Sequence, residues 1–167
     1  DNDKLKEVDK KFVSPSKVDK KFFQELEKAF ENDKFTIENT ERLIHSHGQE
    51  TFKDIYKVLY KSIDRLVDMV FYPESEEDVK KIIELALKFN VCLIPYGGGT
   101  NVTRALSVPE NEKRTVVSID TRRLSKIEWI NKEDRRICVE AGITGKNLDE
   151  LLKNCLLYTS PSPRDNR

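Results

Sequence analysis

Long apolar runs are missing from this chain. No stretch reaches the ~20 residues that a bilayer-spanning helix needs, so the sequence holds no candidate transmembrane segment. An excess of one charge is missing too. The chain carries 30 Lys and Arg against 30 Asp and Glu, and this balance gives no electrostatic case for nucleic-acid binding. Cysteine is scarce and irregularly placed. Cys92, Cys138 and Cys155 form an odd set with no Cys-x-x-Cys spacing. They read as small buried hydrophobes rather than as a redox or metal centre. The two histidines, His45 and His47, have no Cys or carboxylate partner at a ligating interval. They read as structural, and no metal site is expected. The single tryptophan, Trp129, is expected to pack within a hairpin. No signal-peptide pattern and no internal repeat is present. The chain opens on Asp1 rather than Met, so its natural N-terminus is expected upstream.

What remains is about one ordinary domain of 167 residues, with 36% charged and 37% hydrophobic residues. The surface is therefore heavily charged, and a few segments must supply the core. Residues 1–17 are rich in Lys and Asp and are expected to be loosely packed. Helical periodicity then runs from about Lys17 to Glu31, with Val18, Phe22, Leu26, Ala29 and Phe30 on one face. Such a face docks on its own protein or lies on a membrane surface. A second helical stretch covers roughly Phe52 to Ile63. A strand near Met69–Tyr72 ends at Pro73. Ser75 can cap a helix from about Glu76 to Phe89, and Asn90 can end it in a left-handed conformation. Val91–Ile94 reads as a strand stopped by Pro95. The strand–helix–strand unit from Met69 to Ile94 should be parallel and right-handed. Thr115–Ile119 is a further β-branched strand. Lys126–Ile130 and Arg136–Val139 form a hairpin, and Thr144 caps a helix from Gly145 to about Lys153 with Leu148, Leu151 and Leu152 inward.

Glycine is also rare, yet three of the six glycines are consecutive, at Gly97, Gly98 and Gly99. They directly follow a buried strand, where open α/β sheets place their ligands. Without side chains, the main-chain amides can turn toward an anion and approach it closely. Thr100 and Asn101 can add side-chain hydrogen bonds. The loop suits a phosphate or diphosphate, and the bland alternative is a tight turn with no ligand. Two common phosphate binders are excluded. No Lys-Ser/Thr pair follows the glycines, and Val102 stands where a Gly-x-Gly-x-x-Gly fingerprint needs its last glycine. Arg104, Arg114, Arg122 and Arg123 read as solvated surface rather than as substrate-phosphate ligands.

Ile94–Val102 resembles the Pro-x-Gly-Gly-Gly-Thr-x-Val signature of the alkylglycerone-phosphate synthase (alkyldihydroxyacetonephosphate synthase) family, which belongs to the PCMH or vanillyl-alcohol-oxidase type of FAD flavoprotein. Asp68–Val70 with Tyr72-Pro73, Asp78–Ala86, Arg114–Thr121 and Val139–Gly145 are similar to the family's successive strands and helix. The resemblance runs from about Arg42 to Leu152. FAD-linked D-lactate dehydrogenases are resembled more loosely.

The resemblance implies an α+β fold: the first lobe of a PCMH-type FAD-binding domain, with a small mixed sheet and flanking helices, preceded by an N-terminal helical region. The corresponding division is 1–63, 64–154 and a tail, 155–167, that resembles translated adaptor sequence and is set aside as non-native. It also implies FAD as cofactor, held without a covalent link by Pro95, Tyr96, Gly97, Gly98, Gly99, Thr100 and Asn101. Tyr96 and Asn101 fill variable positions, so their contacts are expected through the backbone. The implied reaction exchanges the acyl group of acyl-dihydroxyacetone phosphate for a long-chain fatty alcohol, in peroxisomal ether-lipid synthesis, with no net redox change. Peripheral membrane association and a homodimeric full-length enzyme are further implications. Catalytic residues are expected in segments beyond this chain, which by itself should bind FAD poorly. A 2-hydroxy-acid dehydrogenase fragment and a non-catalytic truncated product are the competing readings.

Overall fold

The computed structural model describes residues 14–48 and 65–154. The expected helix at Phe52–Ile63 and the tail 155–167 lie outside these. Four strands form one sheet in the order β1-β2-β4-β3. They are β1 (Phe35–Thr36), β2 (Met69–Phe71), β3 (Cys92–Tyr96) and β4 (Val116–Asp120). β2 and β3 both run parallel to β4, which lies between them, and β1 adds an antiparallel edge. A separate hairpin pairs β5 (Ile127–Asn131) with β6 (Arg136–Val139). The helices are α1 (Lys20–Ala29), α2 (Asn39–Ile44), α3 (Glu76–Phe89) and α4 (Gly145–Asn154).

Local chemistry explains α3 from end to end. Ser75 Oγ accepts from the Asp78 amide, and three acidic residues occupy the first turn, where the helix dipole favours them. Ile82 and Ala86 face the core. Asn90 then adopts φ 54° and ψ 47°, and its amide and that of Val91 close on Ala86. α1 starts similarly, with Asp19 Oδ1 accepting from the Phe22 amide.

Alternation along the strands gives the sheet two unlike faces. Met69, Phe71, Val117 and Ile119 point to one side, where Phe22, Leu26 and Phe30 of the α1 segment and Ile82 and Ala86 of α3 cover them. The apolar stripe of α1 is therefore buried in the protein's own core. Val67, Val70, Tyr72 and Val116 point to the other side and pack with Val108. Asp68, fully buried, fastens the start of the sheet. It accepts from the amides of Lys17 and Val116 and from the Arg65 guanidinium at 2.6–2.9 Å. Burial opposes ionisation of Asp68, but these bonds hold its carboxyl below the usual range. Residues 14–17, expected to be loose, are in part tied down by this contact and by the bond from Ser16 Oγ to the Asp68 carbonyl.

Several details depart from the sequence reading. Pro95 lies inside β3 rather than ending it. β3 is an edge strand, and the Cys92 amide donates to Thr115, so alternation turns the Pro95 nitrogen away from the ladder. Trp129 is 52% exposed, so it is not a packed hairpin residue. Cys92 and Cys138 are half-buried rather than fully buried. The Leu148, Leu151 and Leu152 stripe of α4 is only partly covered, with Leu151 39% exposed. β1 and α2 were absent from the reading, because two and six residues are too few to show a periodicity.

Candidate functional site

The glycine loop leaves the carboxyl end of β3, at the same end of the sheet as the termini of the parallel strands β2 and β4. Pro95, Gly97, Gly98 and Thr100 are exposed there, while Gly99 and Asn101 are half-buried. Among the described residues, no carbonyl accepts from the amides of Gly97, Gly98, Gly99 or Thr100. Among the described residues, the donors of the loop are thus open to a ligand.

The three glycines are glycine for different reasons. Gly99 has φ 68°, and a side chain there would run into the Tyr96 hydroxyl. Backbone and packing both require it. Gly97 and Gly98 lack a positive φ. Among the described residues, a Cβ on Gly97 would meet nothing within 4 Å, and one on Gly98 would meet only the Thr100 methyl at 3.8 Å, an ordinary contact. Neither backbone strain nor internal crowding excludes a side chain at these positions. What the open space accommodates is an approach from outside. Exposed unbonded amides under such a space are what a diphosphate requires, and the loop fits that group.

Tyr96 and Asn101 frame the loop. The Asn101 side chain is occupied within the chain: Oδ1 accepts from the Thr103 and Ala105 amides and Nδ2 donates to Thr103 Oγ1. It is left with backbone contacts, as its variable motif position suggests. Tyr96 turns its buried ring inward, under the loop, and stacks on His45 with ring centroids 4.2 Å apart. Thr121 Oγ1 reaches the Tyr96 carbonyl at 3.4 Å.

Beneath the loop lies a polar cluster that sequence reasoning did not find. The paired residues Tyr96 and Asp120, together with Tyr72 just past β2, come to one level on one face. His45, fully buried at the C-terminus of α2, sits among them. Its Nδ1 lies 2.7 Å from the Glu41 carbonyl and its Nε2 lies 2.7 Å from Asp120 Oδ2. The carbonyl can only accept, so Nδ1 carries a proton. Asp120 also accepts from the Arg122 amide at 2.8 Å and from Arg122 Nε at 2.7 Å. Burial works against a charge on Asp120, but bonds from His45 and Arg122 outweigh it and hold the carboxyl below its ordinary value. His45 Nε2 thus faces the Asp120 carboxylate, with Arg122 Nη2 3.4 Å away on the same nitrogen.

Burial, together with a 2.6 Å bond to the Glu41 carboxylate, pushes the Tyr72 hydroxyl well above the phenol range. Burial and the Asp120 charge likewise raise Tyr96. Arg122 and Arg123 each lie 5.3 Å from the Tyr72 ring. Arg122, expected to be solvated, is therefore anchored by Asp120, and Arg123 by Glu74 at 2.8 Å. Among the described residues no group of His, Cys, Asp and Glu could hold a metal ion. No local signal could have revealed this cluster, because positions 45, 72, 96 and 120 are distant in the chain and only the strand register joins them.

Comparison with known proteins agrees with this geometry. The family model described as "FAD binding domain" matches residues 67–165. Alkyldihydroxyacetonephosphate synthase of Caenorhabditis elegans is 43% identical over 131 residues, which are 78% of this chain and 21% of the relative. A mitochondrial D-lactate dehydrogenase of Arabidopsis thaliana is 29% identical over 146 residues, 87% of this chain and 24% of that protein. Among solved structures, an alkyldihydroxyacetonephosphate synthase superposes with a TM-score of 0.80 at 32% identity, over 86% of this chain and 26% of that one. A p-cresol methylhydroxylase shares the fold, with a TM-score of 0.65 at 16% identity over 91% of this chain and 29% of that one. The chain spans between a fifth and a quarter of the length of these curated relatives. With its α+β lobe of PCMH type and its open glycine loop, the chain belongs to the FAD-binding-domain family of flavoproteins.

Proposed function

We propose that this chain supplies the first FAD diphosphate loop of an alkyldihydroxyacetonephosphate synthase. One observation carries the loop assignment: among the described residues, neither φ nor packing forbids a side chain on Gly97 or Gly98, and no carbonyl accepts from their amides. The amides of Gly97–Thr100 would donate to the diphosphate oxygens, and Thr100 Oγ1 would add a bond. Charge-assisted bonds of this kind are about twice as strong as neutral ones. Pro95 and Tyr96 set where the loop leaves the strand, and Asn101 closes it.

Bound here, the flavin would supply the reactive ring system, while this chain binds and orients its diphosphate. The activity proposed for the whole protein is exchange of the acyl group of acyl-dihydroxyacetone phosphate for a long-chain alcohol. Support comes from the similarity to synthases of that name, at higher identity than to the D-lactate dehydrogenase. A peroxisomal, peripherally membrane-associated homodimer is the setting that goes with this reading.

Gly98→Val tests it in the full-length protein carrying this sequence. The new branches would meet little of the folded chain but would fill the approach to the amides. Melting temperature should stay close to that of the parent, while FAD affinity falls by about a hundredfold or more. Unchanged flavin affinity would remove the loop from the cofactor site. Turnover of acyl-dihydroxyacetone phosphate but not D-lactate separates the synthase from the dehydrogenase.

A further inference from the structure

The glycine loop is held at both ends by one short segment, His45–Gly48, that leaves α2. At the entry, the Tyr96 ring packs against the His45 ring, with centroids 4.2 Å apart and planes tilted by 47°. At the exit, Gly48 is buried so closely against the Asn101 carbonyl that a Cβ on Gly48 would overlap it. The segment is itself rigid. His45 is bonded through both ring nitrogens, and Ser46 is tied through its hydroxyl to the Arg42 carbonyl and the Val67 amide. Consecutive glycines lose more conformational freedom on ordering than any other residues. A loop of that composition, left free, would spend much of its binding free energy on its own ordering, and one already held in the bound shape would not.

We propose that His45 and Gly48 are positioning residues for the cofactor loop: they fix its two ends, so that its amides converge on a diphosphate before the ligand arrives. Neither residue touches the ligand; each acts through the loop residue it contacts. The role of Asp120 in this device is to hold the His45 ring in one orientation. The inference rests on the reading of the loop as a diphosphate site.

The test uses the full-length protein, with FAD as the probe. FAD affinity is titrated on the folded fraction, well below the melting temperature, and the ³¹P spectrum of the bound diphosphate is recorded. His45→Gln and Gly48→Ala should each weaken FAD by about tenfold or more and shift the ³¹P resonances, whereas Ser75→Ala, which removes only the cap of α3, should stay within about threefold of the parent. A purely structural role would lower the melting temperature and leave affinity and resonances of the folded fraction unchanged; that result overturns the proposal. Should His45→Gln fail to fold, Gly48→Ala and Tyr96→Leu give the same two readouts. Gly98→Val separates the two levels of the argument. If it abolishes binding while the His45 and Gly48 variants do not weaken it, only the positioning role falls. If it leaves binding intact, the diphosphate site and the positioning role fall together.

Discussion

One sheet carries two kinds of order. On the helix-covered face, Met69, Phe71, Val117 and Ile119 meet Phe22, Leu26, Phe30, Ile82 and Ala86 with no polar side chain among them. On the opposite face, at the strand ends, Tyr72, Asp120 and Tyr96 surround a fully buried His45. The residues alternate along the same strands, so backbone and register are shared and only the side-chain chemistry differs. Apolar burial is strong but non-directional, and it fixes that the layers meet. Hydrogen-bonded charge is costly to bury and tied to direction, and it fixes how a particular ring is turned. The open loop stands over the directional region, which separates stability from positioning within one small fold.

Substitution on each face should break stability and cofactor binding in opposite proportions. The largest loss of stability is expected from Phe71→Ala. Phe71 is fully buried, with its ring 4.7 Å from that of Phe30. Emptying such a site costs about 4 kcal/mol, a large share of the roughly 5–15 kcal/mol that holds a domain folded. Denaturant midpoints measure this loss. FAD affinity of the molecules that remain folded should stay within about threefold, since nothing under the loop has changed. Asp120→Asn should do the reverse. Removing the charge of this buried, multiply bonded carboxylate costs about 3 kcal/mol, less than the aromatic deletion, yet flavin affinity should fall because His45 loses the anion that orients it. Equal effects of the two variants on affinity would dissolve the distinction between the faces.

Titration sharpens the same contrast, because Asp120 lies in the polar cluster and Phe71 does not titrate. Asp120, like Asp68 at the opposite end of the sheet, has its carboxyl held below the ordinary value in the fold. A depressed folded-state value means that each contribution is complete above the unfolded value of about 4 and fades as pH falls through the folded one. Stability should therefore decline on the acid side. The decline should be shallower in Asp120→Asn, whereas Phe71→Ala should shift the whole curve down without changing its acid slope. Melting temperatures from pH 6 to pH 2 decide between these outcomes.

The two regions were also unequally legible. The apolar stripes of α1 and α3, the Ser75 and Asn90 caps, the β-branched β4 and the glycine loop are local patterns, each confined to one short stretch. They located the core and the loop. The polar cluster has no local pattern. His45 follows a six-residue helix, and its partners sit in three other elements, one of them 75 positions away. Tyr96 was legible as a motif position but not as a buried ring, because the inward side of an edge strand depends on the neighbour it pairs with. The three glycines looked equivalent and are not: only the built backbone shows that Gly99 is constrained and that Gly97 and Gly98 are free to carry side chains the chain nonetheless lacks.

Ser75 offers the smallest perturbation and a control for the others. Its hydroxyl accepts one amide, that of Asp78, at 3.2 Å, at the start of a helix whose inner face belongs wholly to the apolar side. Ser75→Ala removes that bond and leaves an end-turn donor to water, at a cost of about 1 kcal/mol. Asp78 moderates the loss, since its carboxylate still accepts from the Glu74 amide and Lys34 at 2.9 Å. Because α3 touches the sheet only on its apolar face, the damage should stop there. Thermal melting should register it, while FAD affinity and the ³¹P resonances of the bound diphosphate should not move. A shift in either would mean that strain on the helix-covered face reaches the loop through β3, and that positioning is a property of the whole sheet rather than of the His45 cluster.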